Sequence, residues 1–337
     1  MRKILISFLF TLLIALNSGL TWAQQIDSLL NHQIKALLSL EKIKILITDS
    51  GLGGLSVLAE IEKLVSADHT FKEAEIIFVN ALPSANFRYN SMPDESTKIK
   101  FFDQTLVGME KWFHPDIILI ACNTLSVVYP KSDFYRTSSI PVVGIIDLGV
   151  DLIYKNLNEN PESKVIILGT ETTISSNSHK EKLLSKGIKE DRIISLACPN
   201  LETEIQSNPK SDLVKGMIDL YTDEVVSDFK DRKLKIYAAL CCTHYPYVSG
   251  DFKNILSDKI GSDVTILNPN SAMASIFSGI NFSRKYDSSK VDVKVYSQTV
   301  LSVDEINSIS EILQVTSPSS AAALRNYIYK TDLFILR

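Results

Sequence analysis

Short apolar runs alternate with amphipathic segments along most of the chain. Each run is rich in Ile and Val, and the runs lie at 43–49, 74–80, 116–123, 140–147, 164–170, 191–198, 234–242, 263–268 and 291–297. Nearly continuous apolar runs of this length are typical of strands buried on both faces. The segments between them, such as 94–113 and 211–229, repeat Ile, Leu, Val and Phe at helical spacing. The alternation predicts an α/β protein with mainly parallel sheets.

The length, composition and net charge of the chain limit the number of domains and the kinds of binding partner. A chain of 337 residues with 45% hydrophobic residues predicts two domains with ample core. The net charge is −4, and acidic and basic residues are interspersed. The sequence therefore lacks the broad cationic surface that nucleic-acid binding needs, and a nucleic-acid partner is excluded.

The first residues read as an export signal. Basic Arg2 and Lys3 precede an apolar run, and small residues end at Ala23, so residues 1–23 are predicted to be a signal peptide cleaved after Ala23, with the mature protein in the periplasm. An uncleaved membrane anchor is the alternative. Residues 24–42 are predicted to be a polar helical connector, and no later segment is long and apolar enough to cross a membrane after signal cleavage.

The four cysteines match no familiar pattern of disulfide bonds or metal ligands. Vicinal cysteines rarely bridge each other, and the spacing of Cys122, Cys198, Cys241 and Cys242 fits neither a small disulfide framework nor a tetrahedral zinc site. They are interpreted as site or core thiols, and no metal site is predicted.

Three predicted strands end in chemically active residues. The runs "IILIACNT" and "IYAALCCTH" each place a cysteine at the carboxyl end of a strand, where open α/β sheets bind ligands. A third run ends in Asp49 and Ser50 and continues into the glycines of "DSGLGGLSVL", which fit neither the Rossmann nor the P-loop fingerprint. A plain helix cap is the other interpretation of Asp49 or Ser50. Together these strand ends predict a cleft with one thiol on each wall.

Two facing thiols can invert a stereocentre. A thiolate accepts a proton from carbon while the thiol on the opposite face returns one. Because the Cα–H of an amino acid is very weakly acidic, the site must also stabilise a carbanionic transition state with fixed donors. Ser50, Asn123, Thr124 and Thr243 are suitably small donors.

Five motifs carry a family resemblance. "TDSGLGGLSVL", "ACNTLSVVYP", "LGTETTISSNSH", "SLACP" and "CCTHYPYV" occur in the order and at about the spacing of the cofactor-independent glutamate racemases of the aspartate/glutamate racemase superfamily, which this chain resembles from Ile43 to Leu313. The resemblance implies two doubly wound, mainly parallel-sheet domains related by pseudo-twofold symmetry, with the active site in the cleft between them. Domain one would comprise 43–140 plus 247–315, domain two 141–246, and residues 316–337 a C-terminal tail.

The resemblance also implies roles for individual residues. Cys122 and Cys242 would be the two catalytic acid/base groups, assisted by Asp49 and His244 respectively. Cys241 and Cys198 would be buried structural thiols. The implied substrate is a small acidic amino acid, with no cofactor, no metal and a homodimer as a common assembly. The substrate-binding positions of the family fall on Ser50, Tyr89, Asn90, Asn123, Thr124, Thr170, Thr173 and Thr243.

Three departures from the family pattern concern the surroundings of the substrate. Asn80 stands where the family has aspartate, and Asp147 follows the inter-domain strand in place of a glutamate. Gln206 aligns with a glutamate that assists catalysis in the family, while Glu202 and Glu204 lie nearby on a different register. Because glutamine carries no charge, proton transfer on the His244 side is expected to be weaker.

The sequence therefore predicts a racemase for glutamate, with aspartate or another acidic amino acid as the alternative substrate. The resemblance implies that D-glutamate feeds peptidoglycan synthesis. A second hypothesis is an exported, catalytically weak binding protein for an acidic amino acid. A third, less favoured, is an isomerase or lyase that uses one thiol as a nucleophile.

Overall fold

The computed structural model describes residues 33–84, 87–226, 229, 234–277 and 285–334. The predicted signal peptide and the first part of the connector lie outside the described residues. Residues 33–37 form a helix in a short unit that ends at Glu41, and a second unit begins at Lys42. Among the described residues, no helix combines the length and the hydropathy that crossing a membrane requires.

Within the described residues, the second unit contains two sheets whose neighbouring strands all run parallel. The strands are β1 (Lys42–Asp49), β2 (Glu73–Asn80), β3 (Ile117–Ile120), β4 (Val142–Gly144), β5 (Lys164–Gly169), β6 (Ile193–Ala197), β7 (Ile236–Cys241), β8 (Val264–Leu267), β9 (Lys290–Ser297) and β10 (Ile328–Tyr329). The first sheet has the order β10-β9-β2-β1-β3-β4, and the second has the order β6-β5-β7-β8.

Helices connect and cover these strands. Their bounds are α1 (Leu55–Asp68), α2 (Glu95–Phe113), α3 (Asn123–Val128), α4 (Asp133–Thr137), α5 (Ile145–Glu159), α6 (Glu171–Ser175), α7 (Ser178–Ser185), α8 (Leu201–Ser207), α9 (Asp212–Val226), α10 (Ser249–Ile260), α11 (Pro269–Ala274), α12 (Val303–Thr316) and α13 (Pro318–Arg325). With layers on both faces, the central strands have no exposed side. Ile45, Leu46 and Ile47 of β1 are fully buried, which explains why the strand reads as a continuous apolar run.

Each sheet reverses its winding direction at one place. In the first sheet, the strands on one side of the β1/β3 pair follow each other away from β1, and β4 lies on the other side beyond β3. In the second sheet, β6 lies outside β5 on one side and β8 lies outside β7 on the other. Ligand crevices of open α/β sheets lie at the carboxyl ends of such strand pairs. The residues that follow β1, β3, β5 and β7 are therefore the ones that the fold presents to a ligand.

The predicted α/β class and the nine predicted strands are confirmed, with differences at their ends. The run 140–147 forms only the short strand β4, because α5 already begins at Ile145. Asp147 consequently lies in the first turn of a helix, largely exposed, where it pairs with Lys182 at 2.7 Å. It does not border the cavity described below.

The segment from 316 onward adds to the first sheet. Pro318–Arg325 form α13, and β10 pairs with β9 through Ile328 and Tyr296. Leu333 and Phe334 are buried in the same apolar cluster as α2 residues. The tail was predicted without any element; its strand of two residues is too short to give a recognisable sequence pattern.

The domain division at 43–140 plus 247–315 and 141–246 stays a prediction. Strands β1 to β4 and β9 lie in the first sheet, while β5 to β7 lie in the second. Strand β8, from the range assigned to domain one, pairs with β7 through Val264 and Ile236.

Candidate active site

One small cavity collects almost all of the predicted site residues. It is lined by Asp49, Ser50, Asn90, Cys122, Asn123, Thr124, Thr170, Thr173, Glu202, Cys241, Cys242, Thr243 and His244. Tyr89 is the predicted residue that does not line it. Its ring is buried in an apolar cluster, with its edge toward Phe102 at a centroid distance of 6.3 Å. Residues at the carboxyl ends of strands from both sheets thus surround one space.

Asp49 links the two sheets at this cavity. Its Oδ2 atom accepts a hydrogen bond from the backbone N–H of Gly54 at 2.6 Å and another from the Thr243 hydroxyl at 2.6 Å. The glycines beside it allow this close approach. A Cβ atom on Gly53 would lie 2.4 Å from the Thr243 hydroxyl oxygen and 2.7 Å from Nδ1 of His244. The "GLGG" stretch is therefore required by the packing of the second sheet against the turn after β1.

Cys122 lies at the start of α3, directly after β3. Its Sγ is 3.2 Å from the hydroxyl of Ser50, which in turn donates to Oδ1 of Asp49 at 3.4 Å. Burial and then the negative charge of Asp49 raise the pKa of Cys122 to about 12, although hydrogen bonds from Ser50 and from the N–H of Leu125 oppose the rise. The resting group is a thiol, and Ser50 and Asp49 form a path for its proton.

Cys242 follows β7 of the second sheet, lines the same cavity and has His244 as its neighbour. Its Sγ lies 3.9 Å from Nδ1 of His244. Burial and then the charge of Glu202 raise the pKa of Cys242 well above its usual value. Burial also lowers the pKa of His244 to about 4, so its ring is neutral at pH 7. Cys242 is thus a protonated thiol beside a neutral imidazole.

Gln206 holds the far side of the imidazole. Its Oε1 atom lies 2.9 Å from Nε2 of His244 and accepts the backbone N–H of Leu52 at 2.8 Å. Its Nε2 atom donates to Oε1 of Glu305 at 2.5 Å. The residue that aligns with the catalytic glutamate of the family therefore contacts the histidine, although it carries no charge.

Several polar atoms at the cavity have no partner within the described part of the chain. Both amide atoms of Asn123 are buried without a hydrogen bond, as are Oδ1 of Asn90 and Oε2 of Glu202. Unsatisfied buried polar atoms are rare in proteins, and at a cavity they indicate that a polar ligand supplies the missing partners. Thr124 and Thr170, whose hydroxyls lie 3.0 Å apart, add further groups from the two sheets.

Sequence reasoning missed Glu202 as a cavity residue. Its Oε1 accepts a hydrogen bond from Nδ2 of Asn90 at 2.8 Å, and burial raises its pKa. A usable signal was present, because Glu202 precedes Gln206 by four residues and so shares its face of α8. Asn80, in contrast, lies outside the cavity and bonds with Ser297 at 3.2 Å and with the N–H of Leu82 at 3.1 Å.

The cavity is nearly closed. Its volume is about 20 Å³, enough for roughly one water molecule. An adjoining cavity of about 340 Å³ shares Asn90 with it and is bordered by Lys98, whose amino group donates to Thr172 at 2.8 Å. Among the described residues, no group of three or more His, Cys, Asp or Glu is arranged to hold a metal ion.

Two buried histidines predict acid lability. Burial lowers the pKa of His179 and of His244 to about 4, whereas a histidine in an unfolded chain titrates near ~6.5. The stability that this difference provides is present above pH ~6.5 and is lost as the pH falls through about 4, at about 3 kcal/mol for each ring. We expect the free energy of unfolding, measured with urea, to fall between pH 7.5 and 4.5.

Replacing one of these rings isolates its contribution. In a His179→Leu variant the fall between the two pH values is expected to be about 2 kcal/mol smaller than in the wild type. His114→Asn is the control, because His114 is exposed and meets water in both the folded and the unfolded chain. The same fall in His179→Leu as in the control would contradict the prediction.

Comparison with known proteins identifies the family of the chain. The sequence model of the family described as Asp/Glu/Hydantoin racemase matches residues 45–274. Glutamate racemase from Hydrogenobaculum sp. (strain Y04AAS1) is 30% identical over 215 residues, covering 64% of this chain and 75% of that protein. Glutamate racemase from Campylobacter jejuni is 30% identical over 219 residues, covering 64% of this chain and 79% of that protein.

Solved structures share the fold. The crystal structure of glutamate racemase from Campylobacter jejuni aligns with a TM-score of 0.60 at 23% identity and covers 81% of this chain and 97% of that chain. Glutamate racemase from Francisella tularensis in complex with D-glutamate aligns with a TM-score of 0.61 at 21% identity, covering 81% and 94% respectively. At these identities the likeness establishes the fold.

Proposed function

Because the chain belongs to the Asp/Glu/Hydantoin racemase family, we propose that it interconverts the L and D forms of an acidic amino acid, with glutamate as the first candidate. One observation carries the proposal. Two buried thiols, each beside its own proton acceptor, line the same cavity and come from different sheets. A binding protein has no need of two thiols arranged in this way.

The proposed reaction moves one proton on each face of Cα. In one direction the thiolate of Cys242 removes the Cα proton, and the thiol of Cys122 delivers its own proton to the opposite face. Cys242 ends as a thiol and Cys122 as a thiolate, so no proton is lost overall. The reverse direction exchanges the two roles.

The thiol that acts as the base must first lose its proton, since burial keeps both thiols protonated, while the other keeps its proton to deliver it. When Cys242 is the base, Nδ1 of His244 accepts its proton. When Cys122 is the base, Ser50 passes its proton toward Asp49. The ammonium group of a bound amino acid helps, because a positive charge beside a buried thiol lowers its pKa. The unpartnered amide of Asn123 supplies a donor to the substrate carboxylate and an acceptor to its ammonium group.

An isotope experiment tests the proposal. L- and D-glutamate labelled with deuterium at Cα are incubated with the enzyme and a reductant, and the loss of label and the optical rotation are followed. We expect both enantiomers of glutamate to lose label and to reach one racemic end point. Aspartate and neutral amino acids in the same assay define the substrate, and a protein that exchanges none of them but binds glutamate is a binding protein instead.

Glu202 is expected to limit the affinity for glutamate. Its charge borders the cavity and opposes both an acidic side chain and the thiolate of Cys242. Glu202→Gln keeps an acceptor for Asn90 and removes the charge, so we expect KM for glutamate to fall about fivefold, which corresponds to roughly 1 kcal/mol. Steady-state kinetics measure this effect, with Glu204→Gln on the same helix as the control. A raised KM would mean that Glu202 helps to hold the substrate.

Three further parts of the proposal come from the sequence. We propose that residues 1–23 direct export to the periplasm, that D-glutamate from the reaction serves peptidoglycan synthesis, and that the enzyme is a homodimer. Mass spectrometry of the mature amino terminus tests the first. A mature chain that begins at Met1 would contradict cleavage after Ala23.

A further inference from the structure

The amide of Gln206 is held at both of its polar atoms. The backbone N–H of Leu52 can only donate, so the atom 2.8 Å from it is the amide oxygen. A carboxylate only accepts, so the atom 2.5 Å from Glu305 is the amide nitrogen. These two contacts settle the orientation of the amide without reference to the histidine.

This orientation decides which nitrogen of His244 carries the proton. Nε2 lies 2.9 Å from the amide oxygen, which cannot donate, so Nε2 must be the protonated nitrogen. Because the pKa of the ring is about 4, the ring carries a single proton at pH 7, and Nδ1 keeps its lone pair. That lone pair lies on the side of the Cys242 thiol, at 3.9 Å.

Glu305 is itself firmly held. It lies in the first turn of α12, where its Oε2 atom accepts the N–H of Ser302 at 3.0 Å and the hydroxyl of Ser302 at 2.9 Å. Burial alone would raise the pKa of Glu305, but hydrogen bonds from Ser302 and Gln206 hold it below its usual value. Glu305 is therefore a fixed anion, one hydrogen-bonded residue away from the imidazole.

We propose that Gln206 and Glu305 are positioning residues that keep His244 in its Nε2–H tautomer, ready to accept the proton of Cys242. The inference rests on the proposed function, because the tautomer matters only if Cys242 must lose its proton. When His244 takes that proton, the ring becomes a cation. The oxygen of Gln206 stabilises it directly, and the charge of Glu305 does so at longer range. The negative charge of this arrangement belongs to Glu305, because the amide of Gln206 carries none.

Nitrogen NMR of ¹⁵N-histidine-labelled wild-type protein tests the tautomer without any activity measurement. At pH 7.5 we expect the His244 signals of a neutral ring with protonated Nε2 and unprotonated Nδ1, assigned by their loss in His244→Gln. Protonated Nδ1 would overturn the inference whatever the enzyme catalyses. If no amino acid loses its Cα label, the proposed function fails, while the tautomer result still stands by itself.

A swap of charges tests the role in catalysis. Gln206→Glu alone places two carboxylates 2.5 Å apart at their nearest atoms, and we expect kcat to fall about tenfold with little change in KM. In the double variant Gln206→Glu with Glu305→Gln, residues 206 and 305 together carry one negative charge again. That charge now belongs to residue 206, which contacts the imidazole of His244 directly. We expect this double variant to regain most of kcat, and the acid limb of its pH profile to move up by at least about one unit.

A control variant distinguishes the positioning role of Gln206 and Glu305 from a role in packing α8 against α12. The hydroxyl of Ser308 on α12 contacts the backbone oxygens of Gln206 at 3.3 Å and of Ser207 at 3.1 Å on α8, so Ser308→Ala disturbs the same helix contact without touching the side-chain amide of Gln206. We expect its pH profile to match the wild type. If the double variant is no more active than Gln206→Glu and its acid limb does not move, the positioning role is wrong.

Discussion

Cys122→Ser and Cys242→Ser are each expected to lower the rate of racemisation by about 10³-fold or more, because a serine hydroxyl at either position gives up its proton far less readily than a thiol. Both side chains border the cavity, and both lie beside a proton acceptor. Loss of label from Cα and change in optical rotation, measured from L- and from D-glutamate, detect the effect in both directions.

Cys241→Ser is the matched control for this pair. Cys241 is also among the residues around the cavity, but it is fully buried with apolar residues of the second sheet, including Val165 and Ile167, and burial alone raises its pKa. Within the described residues its sulfur has no hydrogen bond to a catalytic side chain, so we expect activity within a few-fold of the wild type. Equal losses in all three serine variants would contradict the roles given to Cys122 and Cys242.

Asp49→Asn is expected to lower kcat by about 10²-fold. The carboxylate receives hydrogen bonds from Gly54, Thr243 and Ser50, and an amide group can accept at only one of its two positions. The substitution thus interrupts the proton path from Cys122. It also removes the charge that opposes the Cys122 thiolate, so the pKa of Cys122 should fall.

Two measurements distinguish this effect from simple unfolding. Alkylation of Cys122 by iodoacetamide, followed by mass spectrometry, should become faster at a given pH in Asp49→Asn, while kcat decreases. Asp116→Asn is the control, because Asp116 accepts the N–H of Lys44 at 2.7 Å at the opposite end of β1. Slower alkylation together with full activity in Asp49→Asn would contradict both parts of the prediction.

Most of the site could be predicted because it is local in sequence. Asp49, Cys122, Thr170 and Cys242 each lie at the end of a buried strand or within two residues of it, and parallel strands bring such residues to the same edge of a sheet. The apolar runs predicted the positions of the strands, because a strand buried on both faces needs apolar side chains. Helices cover both faces of the sheets, so nearly every position of central strands such as β1, β3 and β7 had to be apolar.

The remaining residues depend on contacts between distant segments. Gln206 meets Glu305 on a helix 99 positions further along the chain, and no local pattern reports that contact. Tyr89 was misplaced because it lies in a single 3₁₀ turn, where the side chain's direction depends on packing rather than on periodicity. Glu202 belongs to a short helix, and only the position of Gln206 indicates which face of that helix points to the cavity.

The high pKa values of the buried thiols affect the resistance of the protein to oxidation. Cys122, Cys198, Cys241 and Cys242 are all unbridged and buried, and each of them favours its protonated form. Peroxide and disulfide reagents attack thiolates and react slowly with thiols. The protein without substrate therefore protects its sulfurs from oxidants, and in the proposed reaction a sulfur is vulnerable only in the brief interval in which a bound substrate has brought it into its ionised form.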